Sequence, residues 1–281
     1  MCEFCLKHGE GKKWYLQARN YSDELLSDIR RRRMIEEFFS NPDRLTRSIE
    51  HLNRLEKTPK FIRSMIGRII TGRQKKTHFG QVVPIEEIEK IFGLVNSIVR
   101  VACICRHVTL NQEKRYCYGV SMSPNGGELA KIIRGLDKSF LAGPDMSGLE
   151  ILSKEEAVSA FRDHEREGLC HTVWTFQSPF IGGVCNCDRS DCLAMRCTVT
   201  HSIPVMFRAE YIAEVDPDVC IGCRECMRVC QFGAIVYSAS IRKVAIDQRR
   251  CYGCGICRSL CKKNAIRLND RNKVPAAANL W

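Results

Sequence analysis

Cys220-Ile-Gly-Cys-Arg-Glu-Cys-Met-Arg-Val-Cys230 and Cys251-Tyr-Gly-Cys-Gly-Ile-Cys-Arg-Ser-Leu-Cys261 are two copies of one pattern, four cysteines spaced C-x2-C-x2-C-x3-C. The copies stay in step outward from the cysteines. Asp216-Pro-Asp-Val precedes the first and Gly233-Ala-Ile-Val-Tyr237 follows it, while Asp247-Gln-Arg-Arg precedes the second and Asn264-Ala-Ile-Arg-Leu268 follows. Each copy reads as a loop, a short helix and a strand, so the pair predicts one pseudo-symmetric unit. Three cysteines on a tight loop wrap one 4Fe–4S cube, and the fourth, on the next helical turn, reaches away from it. That fourth thiolate then completes the cube of the other copy. The spacing thus gives Cys220, Cys223, Cys226 and Cys261 as one ligand set and Cys251, Cys254, Cys257 and Cys230 as the other. Gly222 and Gly253 suit loops whose amides approach inorganic sulfide.

These residues resemble the bacterial-type two-cluster ferredoxin over roughly residues 209–270. The resemblance implies a ferredoxin-like fold that passes single electrons through two 4Fe–4S clusters. The family usually carries proline after each fourth cysteine, where this chain has Gln231 and Lys262. Proline is not a ligand, so the departure bears on rigidity and reduction potential rather than on assembly. Zinc is the other common occupant of four-cysteine sets, but two tandem runs of this spacing point to iron.

Eighteen cysteines in 281 residues stand in close groups, unlike the wide spacing that staples small secreted scaffolds. A chain of this length, 44% hydrophobic, buries a core without disulfides. A second population comprises Cys103, Cys105, Cys117, Cys185, Cys187, Cys192 and Cys197. Its stretches Cys103-Ile-Cys-Arg106 and Cys185-Asn-Cys-Asp-Arg-Ser-Asp-Cys192, with the helix from Ser153 and the turn Gly168-Leu-Cys-His171, look like those of larger iron–sulfur proteins, mostly of anaerobes. There a mixed domain precedes a dicluster ferredoxin domain. Cys103, Cys105, Cys185, Cys187 and Cys192 are expected to supply a third iron–sulfur or metal centre; the alternative is small buried residues beside tight turns. Cys2, Cys5 and His8 offer three ligands of a further site, or else a redox-active pair or inert thiols.

The remaining pattern is α+β. Ser22 is a plausible cap for a helix through Leu25, Leu26, Ile29, Met34, Ile35, Phe38 and Phe39 that stops at Asn41-Pro42. A second helix carries Leu45, Ile49, Leu52 and Leu55 on one stripe. A third, from Pro59, is expected to turn Phe61, Ile62, Met65, Ile66, Ile69 and Ile70 inward and to close a small bundle. Pro84 opens a helix that runs into Val101-Ala-Cys-Ile-Cys, where alternation puts Cys103 and Cys105 on one side of a strand. Ser153 and Glu156 form a capping box, and Thr172–Phe176 reads as a strand. The chain divides into an N-terminal helical region (1–83), a mixed α/β cysteine-rich domain (84–208), the dicluster unit (209–270) and a tail (271–281) that offers little to pack.

The formal net charge of +12 treats cysteines as neutral. Metal-bound thiols are deprotonated, so part of the basic excess balances buried anionic clusters and the rest permits docking to an acidic partner protein. Residues after Met1 form no apolar signal core, and no stretch approaches ~18 apolar residues; a reducing cytoplasm is the expected compartment. No nucleophile–base pair, Walker loop or Rossmann glycine fingerprint appears. The expected role is therefore carriage of single electrons to or from a partner redox enzyme. A competing reading is an iron–sulfur oxidoreductase whose middle cysteines bind substrate at an open iron. A redox-sensing regulator that binds nucleic acid rests on net charge and the helix–turn–strand near Ser153, and no nucleic-acid partner is expected.

Overall fold

The computed structural model describes residues 13–110, 114–136 and 149–280. Cys2, Cys5 and His8 lie outside them. Residues 14–27 run as short 3-10 turns, and Ser22 caps only the turn Asp23–Ser27, through Glu24 N–H. The first α-helix, α1 (Ile29–Ser40), starts instead at Asp28, whose Oδ1 accepts from the N–H groups of Arg30 (2.8 Å) and Arg31 (3.3 Å). Asp28 is itself extended, with ψ 114°, so the helical run has to be nucleated again after it. Helices α2 (Pro42–Glu56) and α3 (Lys60–Thr77) follow.

These three helices lie on the rest of the molecule: α1 packs on α6 (Gly127–Arg134) and α2 on α5 (Ile104–Leu110). The expected inward face of α3 is split. Ile62, Ile66 and Ile70 are partly buried, whereas Phe61, Met65 and Ile69 are 73%, 58% and 66% exposed. Apolar residues at i and i+1 on a helix point about 100° apart, and one neighbouring surface covers only one of the two rows.

A seven-stranded sheet forms the centre, in the order β4 (Glu150–Leu152), β2 (Ser97–Val101), β3 (Cys117–Ser121), β6 (Ile181–Cys187), β5 (Cys170–Thr175), β1 (Gly80–Val82), β7 (Met206–Phe207). All its pairings are antiparallel except β1 with β7. Helices α4 (Ile85–Leu94) and α7 (Lys154–Arg166) pack on each other against it. The capping box at Ser153 and Glu156 forms as read, and Gly168 ends the segment at φ +85°. Trp14, Tyr15 and Tyr21 are fully buried with Phe79, Phe92, Phe161 and Tyr118, so the N-terminal turns belong to the sheet's core. A short helix, α8 (Leu193–Met195), continues into a π-turn at Arg196–Thr200.

Cys103 and Cys105 are not on a strand. β2 ends where its partner β3 ends, at the pair Val101↔Cys117. With no neighbouring strand beyond that pair, the backbone satisfies its polar groups by entering α5, and Cys103 N–H donates to the Lys114 carbonyl at 2.7 Å.

The C-terminal repeats build a small unit of two ribbons. In sequence order it contains β8 (Tyr211–Val215), α9 (Glu225–Val229), β9 (Ile235–Ser238), β10 (Lys243–Ile246), α10 (Ile256–Ser259) and β11 (Ile266–Asp270). β8 pairs with β11 and β9 with β10, both antiparallel, and the two short helices pack together. Residues 271–280 pack more than their composition suggests. Arg271 is fully buried in an ion pair with Glu210 (3.3 Å) and Ala277 is 1% exposed.

Candidate metal centres

Each cysteine loop is shaped by a glycine. Gly222 and Gly253 have φ of +68° and +70°, and a Cβ on either would stand 2.0 Å from a carbonyl oxygen, that of Arg242 or Tyr211. Only a residue without Cβ lets the loop close this tightly. Backbone N–H groups then point at sulfur in matching positions. Ala234 donates to Cys230 Sγ (3.3 Å) and Ala265 to Cys261 Sγ (3.4 Å), while Gly253 donates to Cys251 Sγ (3.4 Å). Amide donors to sulfur are what a thiolate holding iron requires.

The structure brings Cys261 to the first loop and Cys230 to the second. Burial, and after it the neighbouring Cys223, Cys261 and Cys220, push the Cys226 thiol up to about 11. Burial also pushes Cys251 up to about 11, with Cys254 and Cys230 adding to the rise against the Ala213 and Gly253 N–H groups. Cys257 is raised further by burial beside Cys254, Cys251 and Cys230. Such thiols stay protonated on their own; a bound cation is what makes them thiolates. Phe232 and Tyr252 stack at 4.1 Å beside Cys230 and Cys254, and Arg208 covers the Tyr252 ring.

The middle cysteines also converge, although they come from four elements. Cys117 and Cys185 are direct partners across β3 and β6. Cys185, Cys117, Cys103, Cys105, Cys192 and Cys187 form a row of neighbouring thiols, each acting on the next. The thiols on either side hold Cys103 and Cys192 well below the usual thiol range. Arg106 adds its charge at Cys103, with Nη1 3.8 Å from Sγ. Its guanidinium is fixed by Asp188, by the Asn186 carbonyl (3.1 Å) and by the Tyr116 ring (4.2 Å). Cys117, one of the wider group of middle cysteines but outside the expected pool of five, completes the network. Cys197 stands aside, its thiol pushed up to about 12 by burial. No described cysteine is in a disulfide.

Among the described residues, no group of three or more His, Cys, Asp or Glu side chains closes on a point that holds one metal ion. The ferredoxin octet is part of that result. A cube takes each thiolate on a separate iron, so its ligands stand further apart than those of a zinc site.

Sequence reading missed the contact between the two regions. Cys170, fully buried at the start of β5, donates its thiol to the His171 carbonyl (3.7 Å) and lies against Cys254 of the second loop, in one apolar cluster with Cys187, Cys192, Cys230 and Cys254. Gln231 bridges the same interface. Its Nε2 donates to Gly168 O (2.8 Å) and its Oε1 accepts from Arg189 N–H (3.0 Å). Ser259 of α10 donates to Glu165 of α7 at 3.1 Å. The departure from proline at residue 231 was the one signal in the sequence.

The pseudo-symmetric frame and its paired cysteine loops define a ferredoxin-type iron–sulfur domain at the C-terminus of an α+β chain. Residues 219–265 match the family model described as a 4Fe-4S dicluster domain. No curated protein matches the chain. Among the described residues, no helix is long and apolar enough to cross a membrane.

Proposed function

We propose that this chain is an electron carrier that passes single electrons through two 4Fe–4S clusters to or from a partner redox enzyme. One cluster is held by Cys220, Cys223, Cys226 and Cys261, the other by Cys251, Cys254, Cys257 and Cys230. The observation that carries this reading is that Cys261 lies near enough to act on Cys226 and Cys230 on Cys251, as an exchange of the fourth cysteine requires. When bound, such clusters supply reversible one-electron chemistry. The chain's own part is to bury the sulfurs, donate N–H groups to them from Ala234, Gly253 and Ala265, and keep water off with Phe232 and Tyr252. Cys223 is exposed, which places the first loop at the surface where a partner would dock.

The middle thiols favour a third centre on Cys103, Cys105, Cys185, Cys187 and Cys192, with Cys117 added. Residues 209–270 would then act as the relay and the cysteine-rich region near 84–208 as its neighbour, joined through Cys170 and Gln231. Anaerobic purification followed by iron and sulfide analysis tests both statements. Iron for two cubes supports the carrier, iron beyond two cubes supports the third centre, and a colourless iron-free protein removes both. Purification with associated proteins would identify the partner in the same preparation.

A further inference from the structure

The middle thiols form part of the wall of a chamber of about 530 Å3, within the size range of small-molecule sites. Leu52 of α2 and Ile70 of α3 line it from the helical side. His78, Trp174 and Phe176 supply an aromatic wall. His78 stacks on Trp174 with ring centroids 5.0 Å apart and planes 29° apart, and Phe176 lies 5.0 Å from the same histidine.

We propose that this chamber binds an uncharged, planar aromatic molecule beside the middle cysteines. Three observations lead there. The lining is mostly carbon, so a charged ligand would lose hydration with little to replace it. The arginine of the lining, Arg106, is already held by Asp188 and the Asn186 carbonyl. Phe38, His78, Trp174 and Phe176 all line the chamber, and aromatic surface of this kind favours a further flat ring in offset or edge-to-face geometry. The ligand's redox meaning rests on the third-centre reading, whereas binding itself needs no metal.

Equilibrium dialysis of the anaerobically purified full chain with 2-naphthol, and with naphthalene-2-sulfonate as its charged counterpart, tests the proposal. One saturable 2-naphthol site per chain is expected, with the sulfonate held at least about tenfold more weakly. Leu52→Phe and Ile70→Phe each put a ring into the chamber from a separate helix, and each should weaken 2-naphthol binding about tenfold or more at unchanged iron content. Absence of saturable binding, equal retention of the sulfonate, or unaltered binding in a variant that keeps its iron overturns the proposal. Should both variants lose iron, the naphthol and sulfonate comparison on the unaltered chain still decides. Iron beyond two cubes without naphthol binding removes the chamber site and leaves the third centre standing; naphthol binding without that iron does the reverse.

Discussion

Gln231 donates from its Nε2 to the carbonyl oxygen of Gly168 at 2.8 Å, tying the residue after a fourth cysteine to the turn that ends α7. Its Oε1 takes the Arg189 N–H at 3.0 Å, so one side chain joins the ferredoxin unit to both cysteine-bearing loops beside it. Gln231→Pro restores the residue usual at this position and removes both bonds. It should keep its iron but lose about 1–2 kcal/mol of stability, read as a lower Tm and faster proteolysis between the two regions. Unchanged stability would show that the bridge contributes nothing.

Crossed ligation makes a prediction for paired substitutions. If Cys230 and Cys251 serve one cluster, Cys230→Ala combined with Cys251→Ala removes one cube's iron and the double variant loses no more than the worse single. If each loop binds its own fourth cysteine, the pair removes both cubes. Iron analysis of the two singles and the double separates the outcomes.

Cys170 is expected to tune the cluster proposed on Cys254 and its partners. A polar thiol that packs against a coordinating sulfur, and can turn its S–H toward it, favours the reduced, more negative state. Cys170→Ala should therefore lower the potential of that cluster at unchanged iron content. A difference of about 1 kcal/mol between redox states corresponds to a shift on the order of 50 mV for one electron. Redox titration followed by EPR reads it.

The tight loops tolerate no Cβ. Gly253→Ala sets a methyl 2.0 Å from the Tyr211 carbonyl at φ +70°, and the backbone has to move. Loss of more than about 2 kcal/mol is expected, together with loss of iron from the cluster on that loop. Denaturant titration and iron analysis check the two halves of this expectation.

His78 gives a pH dependence of known sign. Burial lowers its pKa from 6.5 to about 4, against the opposing Thr175 carbonyl. Between these values the unfolded chain takes up a proton that the folded chain refuses, so stability rises with pH and is lost as pH falls from 6.5 toward 4. His78 is only partly covered, and the contribution is up to about 2 kcal/mol after allowance for solvent. His78→Gln should flatten this part of the stability curve relative to the unaltered protein, measured by denaturant unfolding across that range.

Local spacing alone determined the C-terminal unit, because C-x2-C-x2-C-x3-C and a glycine inside the loop are constraints within about ten residues of chain. The capping box at Ser153 and the strand around Val173 were legible for the same reason. Five members of the middle network were named from their sequence stretches, but how they assemble, and that Cys117 joins them, was not legible. Cys103, Cys117, Cys185 and Cys192 lie on different elements, and only the pairing of β3 with β6 and the turn from β2 into α5 bring them together. Cys170 entered only as part of the turn Gly168-Leu-Cys-His171, since its meaning is its contact with Cys254 across an interface. The exposed row of α3 was misread because periodicity says which residues share a face, whereas tertiary packing decides which faces have something to pack against.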